Sequence, residues 1–247
     1  MRTLLAATLW VLISTAWAGP LSPPEGSRQL VLAVAETLDA SHVRLRRYER
    51  SGPEEAWQPV GSEVPARVGK NGLAWGRGLH RTPKAAARHK REGDWRAPMG
   101  VFRIGDAFGD APSAPPGTRW AYQQVTENDL WVEDTAAPTY NQHIRVPADR
   151  PRTSWEESQR MKMGDPAHRL KVVIHHNTVP DVRPGAGSAI FFHIWRQAGA
   201  RPTSGCTAMA AADLQMLLGW LEPEALPVYV LIDRSGHAVA QSAGVLP

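Results

Sequence analysis

Short apolar runs, each cut off within a few residues by Gly, Pro or Asp, point this chain toward a fold built mainly from brief strands. Gln29 to Ala35 (QLVLAVA) is apolar enough for a buried strand, and His42 to Arg50 sets Val43, Leu45 and Arg47 at the period of two of a half-buried one. Further strands are expected at 66–69, 72–75, 100–104, 120–126, 170–176, 189–195 and 227–233, with 21 glycines and 21 prolines to punctuate them. Helices are fewer. Ser154 is placed to cap a segment through about Met163, with Glu156 and Glu157 complementing the dipole of its first turn. In Ala211 to Leu221, Leu214, Leu217, Leu218 and Leu221 recur at helical spacing until Pro223 ends the run, and that stripe reads as core packing.

The N-terminus has the pattern of a secretory signal over residues 1–18: Arg2, an apolar stretch from Leu4 to Ala16, and a small-residue cleavage site at Ala16-Trp17-Ala18. A Pro-rich leader (19–28) and one domain (29–247) are expected to follow, within the roughly 50 to 250 residues a domain commonly holds. No later segment approaches the roughly 20 apolar residues of a membrane helix. The expectation is therefore an exported protein, in the periplasm or cell envelope, with no stable membrane insertion once the signal is cleaved. The formal net charge is +4 and the pI about 9.5, which favours an anionic partner such as cell-wall polymer. No zinc-finger spacing, RNA-binding aromatic motif or basic helix points to nucleic acid.

Cys206 is the one cysteine, so internal disulfides are excluded and stability must come from packing and hydrogen bonds. A catalytic thiol needs a neighbouring base or a positive field, because the thiolate is the nucleophile. His193 lies in the apolar run Ala189 to Trp195, whose alternation sends its ring away from the face shared by Phe192 and Ile194. Between them, Gly199, Pro202 and Gly205 suit a loop that returns the thiol to the imidazole. The helix expected at Ala211 would help stabilise a thiolate through its dipole. Gly205 allows a tight turn and close substrate approach, with N–H groups around Gly205 and Cys206 available to a developing oxyanion. A lone cysteine also suits a small buried hydrophobe, and spacing alone leaves both readings open.

The blocks "GSAIFFHIW" (187–195) and "TSGCTAM" (203–209) resemble the signature of the L,D-transpeptidase catalytic domain, the YkuD-like family, in which a histidine precedes a Ser/Thr-His-Gly-Cys turn. "REGDWRAPMGVFRIG" (91–105) is similar to the family's EGD-x-x-TP-x-G-x-F-x-I segment, and "NGLAWG" (71–76) fits one branch. The resemblance implies a mainly β (α+β), sandwich-like domain with a few peripheral helices, compatible with the strand pattern. It implies an exported cysteine acyl-transferase acting on peptidoglycan stem peptides, without cofactor or metal. Cys206 would form a thioester, His193 would serve as general base, and Thr203, Ser204 and Gly205 would shape the turn. A backbone carbonyl would suffice to orient the imidazole. The acyl group passes to an amine. Alternatives are a wall-peptide hydrolase using water, or a catalytically degenerate wall-binding module. Two positions depart from the pattern: Ser204 stands where the family has histidine, and Ala208 where it has arginine or asparagine. The missing cation is a missing carboxylate partner, and Arg196 or Arg201 is a candidate to replace it.

The remaining polar residues carry weaker signals. His175 and His176 face opposite sides of a strand, and no carboxylate or cysteine completes a zinc set with His193, so they read as structural. His80, His89 and His143 have no constellation around them. Trp131, Trp155 and Trp195 read as core or rim packing rather than a sugar or peptide groove. Gly185 to Gly187 lacks the lysine and the strand-to-helix context of a phosphate loop. Thr82 to Trp95 reads as a solvated, charged connection or short helix, with a groove rim as its functional alternative.

Overall fold

The computed structural model describes residues 21–83, 86 and 88–247, so the expected signal and the first two leader residues lie outside the described residues. In chain order the strands are β1 (Gln29–Ala35), β2 (His42–Glu49), β3 (Gln58–Arg67), β4 (Leu73–Trp75), β5 (Ala97–Gly109) and β6 (Tyr122–Gln124). β7 (Asp129–Trp131), β8 (His143–Arg145), β9 (Leu170–Ile174), β10 (Phe191–Ile194), β11 (Thr207–Met209) and β12 (Val228–Asp233) complete the set. The helices are α1 (Ser154–Ser158), α2 (Ala211–Trp220) and α3 (Arg234–Ser242). The protein is mainly β, as the punctuation of the sequence implied.

The main sheet runs β12-β1-β2-β3-β11-β10-β9-β5-β4, and β12 also pairs with β5. That second pairing closes the path into a ring. It is possible because β5 is long and irregular: residues 100–103 pair with β12, and after a register shift between Ile104 and Ala107 the far end pairs with β9. β1 lies between β2 and β12 and is buried along nearly its whole length, which is why its sequence is continuously apolar. β2 shows the expected alternation, with Val43, Leu45 and Arg47 turned inward.

Leu214, Leu217 and Leu218 of α2 are buried with Leu221 in the main core, each contributing ~1.5–3 kcal/mol of apolar burial. α1 differs from expectation in both its ends. Thr153, not Ser154, is the cap: its hydroxyl accepts from the Glu156 N–H while a Glu156 carboxylate oxygen accepts from the Thr153 N–H. The helix stops at Ser158 rather than near Met163, because the following chain joins β7 instead, with Trp131 N–H donating to Gln159 O and Met161 N–H to Asp129 O. β3 starts at Gln58, earlier than expected, because its first half is polar and exposed and carries no apolar period. β7, β8 and β11 are three residues each, too short to show a pattern, and α3 was not expected. No helix occurs among the described residues of 82–95. A second, smaller core of Phe108, Val125, Trp131, Met161, Val173 and Phe191 lies against Cys206.

Candidate active site

β10 and β11 lie side by side in parallel, with Phe192 level with Thr207 and His193 level with Ala208. Residues level with one another share a face. Phe192 enters the main core, so Phe191 and His193 turn to the other side, as the alternation predicted. Continuing the register puts Cys206 level with Phe191. Thiol and imidazole therefore leave the same face of adjacent strands as diagonal neighbours, a backbone separation of roughly 7 Å. Both border one cavity of about 390 Å³.

The half-buried thiol donates to Ala189 O and accepts from Phe191 N–H, each at 3.4 Å. Burial pushes it up to about 11, with Glu133 adding to the rise and the Phe191 N–H, Lys171 and Lys90 opposing it. His193 is 6% exposed. Its Nδ1 lies 2.8 Å from Ile194 O; a carbonyl only accepts, so Nδ1 carries the proton and Nε2 keeps a free lone pair. Burial, reinforced by His168, Arg196 and Lys171, draws the imidazole down to about 4. At neutral pH the pair is thus thiol and neutral imidazole, not an ion pair.

Three expectations about the turn are corrected. β11 separates Cys206 from α2, so the helix dipole, which acts within about a turn of the terminus, does not reach the sulfur. The Gly205 N–H is occupied by Thr203 Oγ1 at 3.1 Å, so it is not free for an oxyanion, and Thr203 Oγ1 in turn donates to Cys206 O at 2.7 Å. Gly205 instead serves a close approach of backbone: at φ +154° a Cβ there would lie 2.9 Å from Arg96 O. Ser204 is exposed and borders the cavity. Arg196 also borders it, its guanidinium held by Asp165 at 2.5 Å, whereas Arg201 is exposed, bonds Gln197 at 3.1 Å and stays outside.

Several site residues were not anticipated. His168 stacks on His193, centroids 5.2 Å apart, and its Nδ1 lies 2.8 Å from Asp165 Oδ1. Asp165 also caps the 3-10 turn Pro166–His168, accepting from His168 N–H, so one carboxylate fixes the turn, the stacked ring and Arg196. Lys171 on β9 is level with His193. Asn141 joins the walls: its amide NH₂ donates to His176 O and Asn177 O, and its oxygen accepts from Ala189 N–H and Trp131 Nε1. The Asp-x-x-His spacing of 165 and 168 was the only local signal among these. The end of the 82–95 segment proves to be a rim: Glu92, Gly93 and Trp95 border the cavity, and the Asp94 carboxylate accepts from Arg91 N–H, Arg96 N–H and the Lys90 ammonium. Trp131 is buried in the second core and also touches the cavity, while Trp155 and Trp195 do not border it.

His176 is structural, as read: Nδ1 accepts from Arg77 N–H at 3.0 Å and Nε2 lies 2.9 Å from Ala186 O. No group of His, Cys, Asp and Glu able to hold a metal ion occurs among the described residues.

The molecule is thus a closed β domain with a thiol and an imidazole facing one cavity. Residues 39–230 match the family model of the L,D-transpeptidase catalytic domain (YkuD), and the chain belongs to that family. No curated protein and no solved structure matches it.

Proposed function

We propose that the protein is an exported cysteine acyl-transferase of the cell envelope that acts on peptidoglycan stem peptides, with Cys206 as nucleophile and His193 as general base. The observation that carries this reading is the free Nε2 of His193 on the same cavity face as the Cys206 sulfur. Membership of the L,D-transpeptidase family supports the substrate class, and the signal-like residues 1–18 support export. No helix among the described residues is long and apolar enough to cross a membrane.

In the proposed reaction, sulfur attacks the peptide carbonyl as its proton passes to His193 Nε2. Because the thiol sits high and the imidazole low, proton transfer accompanies attack rather than preceding it. The imidazolium is a strong acid in this site and protonates the leaving amine as the C–N bond breaks. The thioester is then attacked by an acceptor amine, whose proton goes to His193, and the thiol is regenerated.

Intact-mass spectrometry of the protein with wall peptides tests this. A covalent adduct on the wild type that is absent from Cys206→Ala is expected. Equal behaviour of the two would sink the reading. Cross-linked against shortened products from wall fragments separates an amine acceptor from water.

A further inference from the structure

Four cations border the cavity, and three have carboxylates. Lys90 Nζ lies 2.6 Å from Asp94, Arg196 Nη2 2.5 Å from Asp165 and Arg160 Nη1 3.5 Å from Glu157. Lys171 is 3% exposed. Its ammonium donates to Met161 O at 2.7 Å, and among the described residues it makes no ion pair. An ammonium has three donors, so this one keeps capacity for another acceptor. Burying a charge without a counter-ion is costly, and folds retain such costs chiefly where function uses them.

The geometry aims this charge at the reacting group. Lys171 is level with His193 across β9 and β10, so both side chains leave the same face. The ammonium lies 5.7 Å from the centre of the Phe191 ring, the residue level with Cys206. Nearby negative groups attract it only from a distance: Asp110, Asp165 and Glu133. Glu92, the other acid on the cavity wall, is engaged by Ser188 and Tyr140.

We infer that Lys171 is the seat for a carboxylate of the acyl donor, supplying the cation that Ala208 cannot. The arginines first considered for this task are otherwise engaged, one by Asp165 and one outside the cavity. Lys171 acts by holding the donor beside the sulfur, which makes it a specificity-determining residue. The inference rests on Cys206 being the reacting thiol.

The test compares alkylation of Cys206 by iodoacetate and by iodoacetamide, each rate divided by that of glutathione under the same conditions. In both reactions the sulfur displaces iodide and loses its proton, so a change in thiol reactivity cancels in the ratio. The wild type is expected to favour the anionic reagent. Lys171→Met should lower that preference by roughly tenfold, the lower end of what a hydrogen bond to a charged group contributes. Lys171→Arg should retain it. Replacing a buried ion by an apolar side chain of similar shape is commonly tolerated, so Lys171→Met should fold. If it does not, the wild type still decides: a normalised ratio at or below one overturns the inference, as does a ratio unchanged by Lys171→Met. The readout needs no acyl transfer. Failure of wall peptides to acylate Cys206 would remove the proposed function and leave the carboxylate seat standing, whereas intact acylation with an unchanged ratio would do the reverse.

Discussion

His176 and His193 are two buried imidazoles, one in the loop just after β9 and the other within β10, and they do different things. His176 has both ring nitrogens engaged, one accepting from Arg77 N–H and the other donating to Ala186 O. His193 has one nitrogen on Ile194 O and the other without a hydrogen-bond partner among the described residues. Burial lowers both, to about 3 and about 4. What separates a structural histidine from a chemical one here is therefore neither burial nor basicity but a single uncommitted lone pair on a ring that borders the same cavity as the thiol.

Truncating each ring should break the comparison in opposite ways. His193→Ala is expected to slow acylation of Cys206 by about 10²–10⁴-fold, the usual worth of a general base, and to destabilise less than His176→Ala because it removes one hydrogen bond rather than two; stopped-flow mass analysis and a thermal melt check both halves. His176→Ala should instead destabilise by about 1–3 kcal/mol for each partner left buried and unsatisfied, read as a lower urea midpoint. A His176→Ala protein as stable as the wild type would contradict that assignment.

Acid sharpens the same contrast. Both folded-state values lie below the ordinary imidazole value of 6.5, so the unfolded chain binds protons first. The associated stability is fully present above pH 6.5 and is lost as pH falls toward 4 for His193 and 3 for His176. Urea midpoints should decline over that window, and His176→Gln should flatten the decline if it folds. Acylation by the wild type should show its acid limb near pH 4 rather than near 6.5.

The smallest effects are expected on the loop after β10. Arg196→Glu sets like charges against Asp165 and loosens the unit that holds His168 on His193, so a drop of up to about tenfold is expected from the stacking and ion-pair energies involved. Arg201→Glu removes a side-chain hydrogen bond to Gln197 on an exposed residue and should leave acylation within twofold, roughly the ±0.5 kcal/mol typical of surface changes. Equal losses at both positions would show that the loop, and not the Asp165 unit, matters.

Much of the scaffold was legible because it rests on local pattern. β1 reads as apolar throughout since it is covered on both faces, β2 alternates since one face is covered, and the leucine stripe of α2 repeats once per turn. Cys206 and His193, the pair proposed to react, stand out in the sequence through the family-like blocks around them. The first half of β3, β11 and α3 were not, because exposed or three-residue elements carry no period to read. Asn141 and Lys171 were likewise silent, and His168 showed only its spacing from Asp165, since each is an ordinary polar residue until a distant segment meets it.

By itself, then, the sequence determined a β-rich chain, the side to which His193 turns and the presence of one thiol after a glycine, because alternation and composition act over a few residues. Only the tertiary structure decided that Arg196 is tied to Asp165 and that Lys171 stands without a carboxylate among the described residues. Those outcomes depend on which strands pair, and pairing brings together groups whose burial and hydrogen bonds no local stretch of sequence controls.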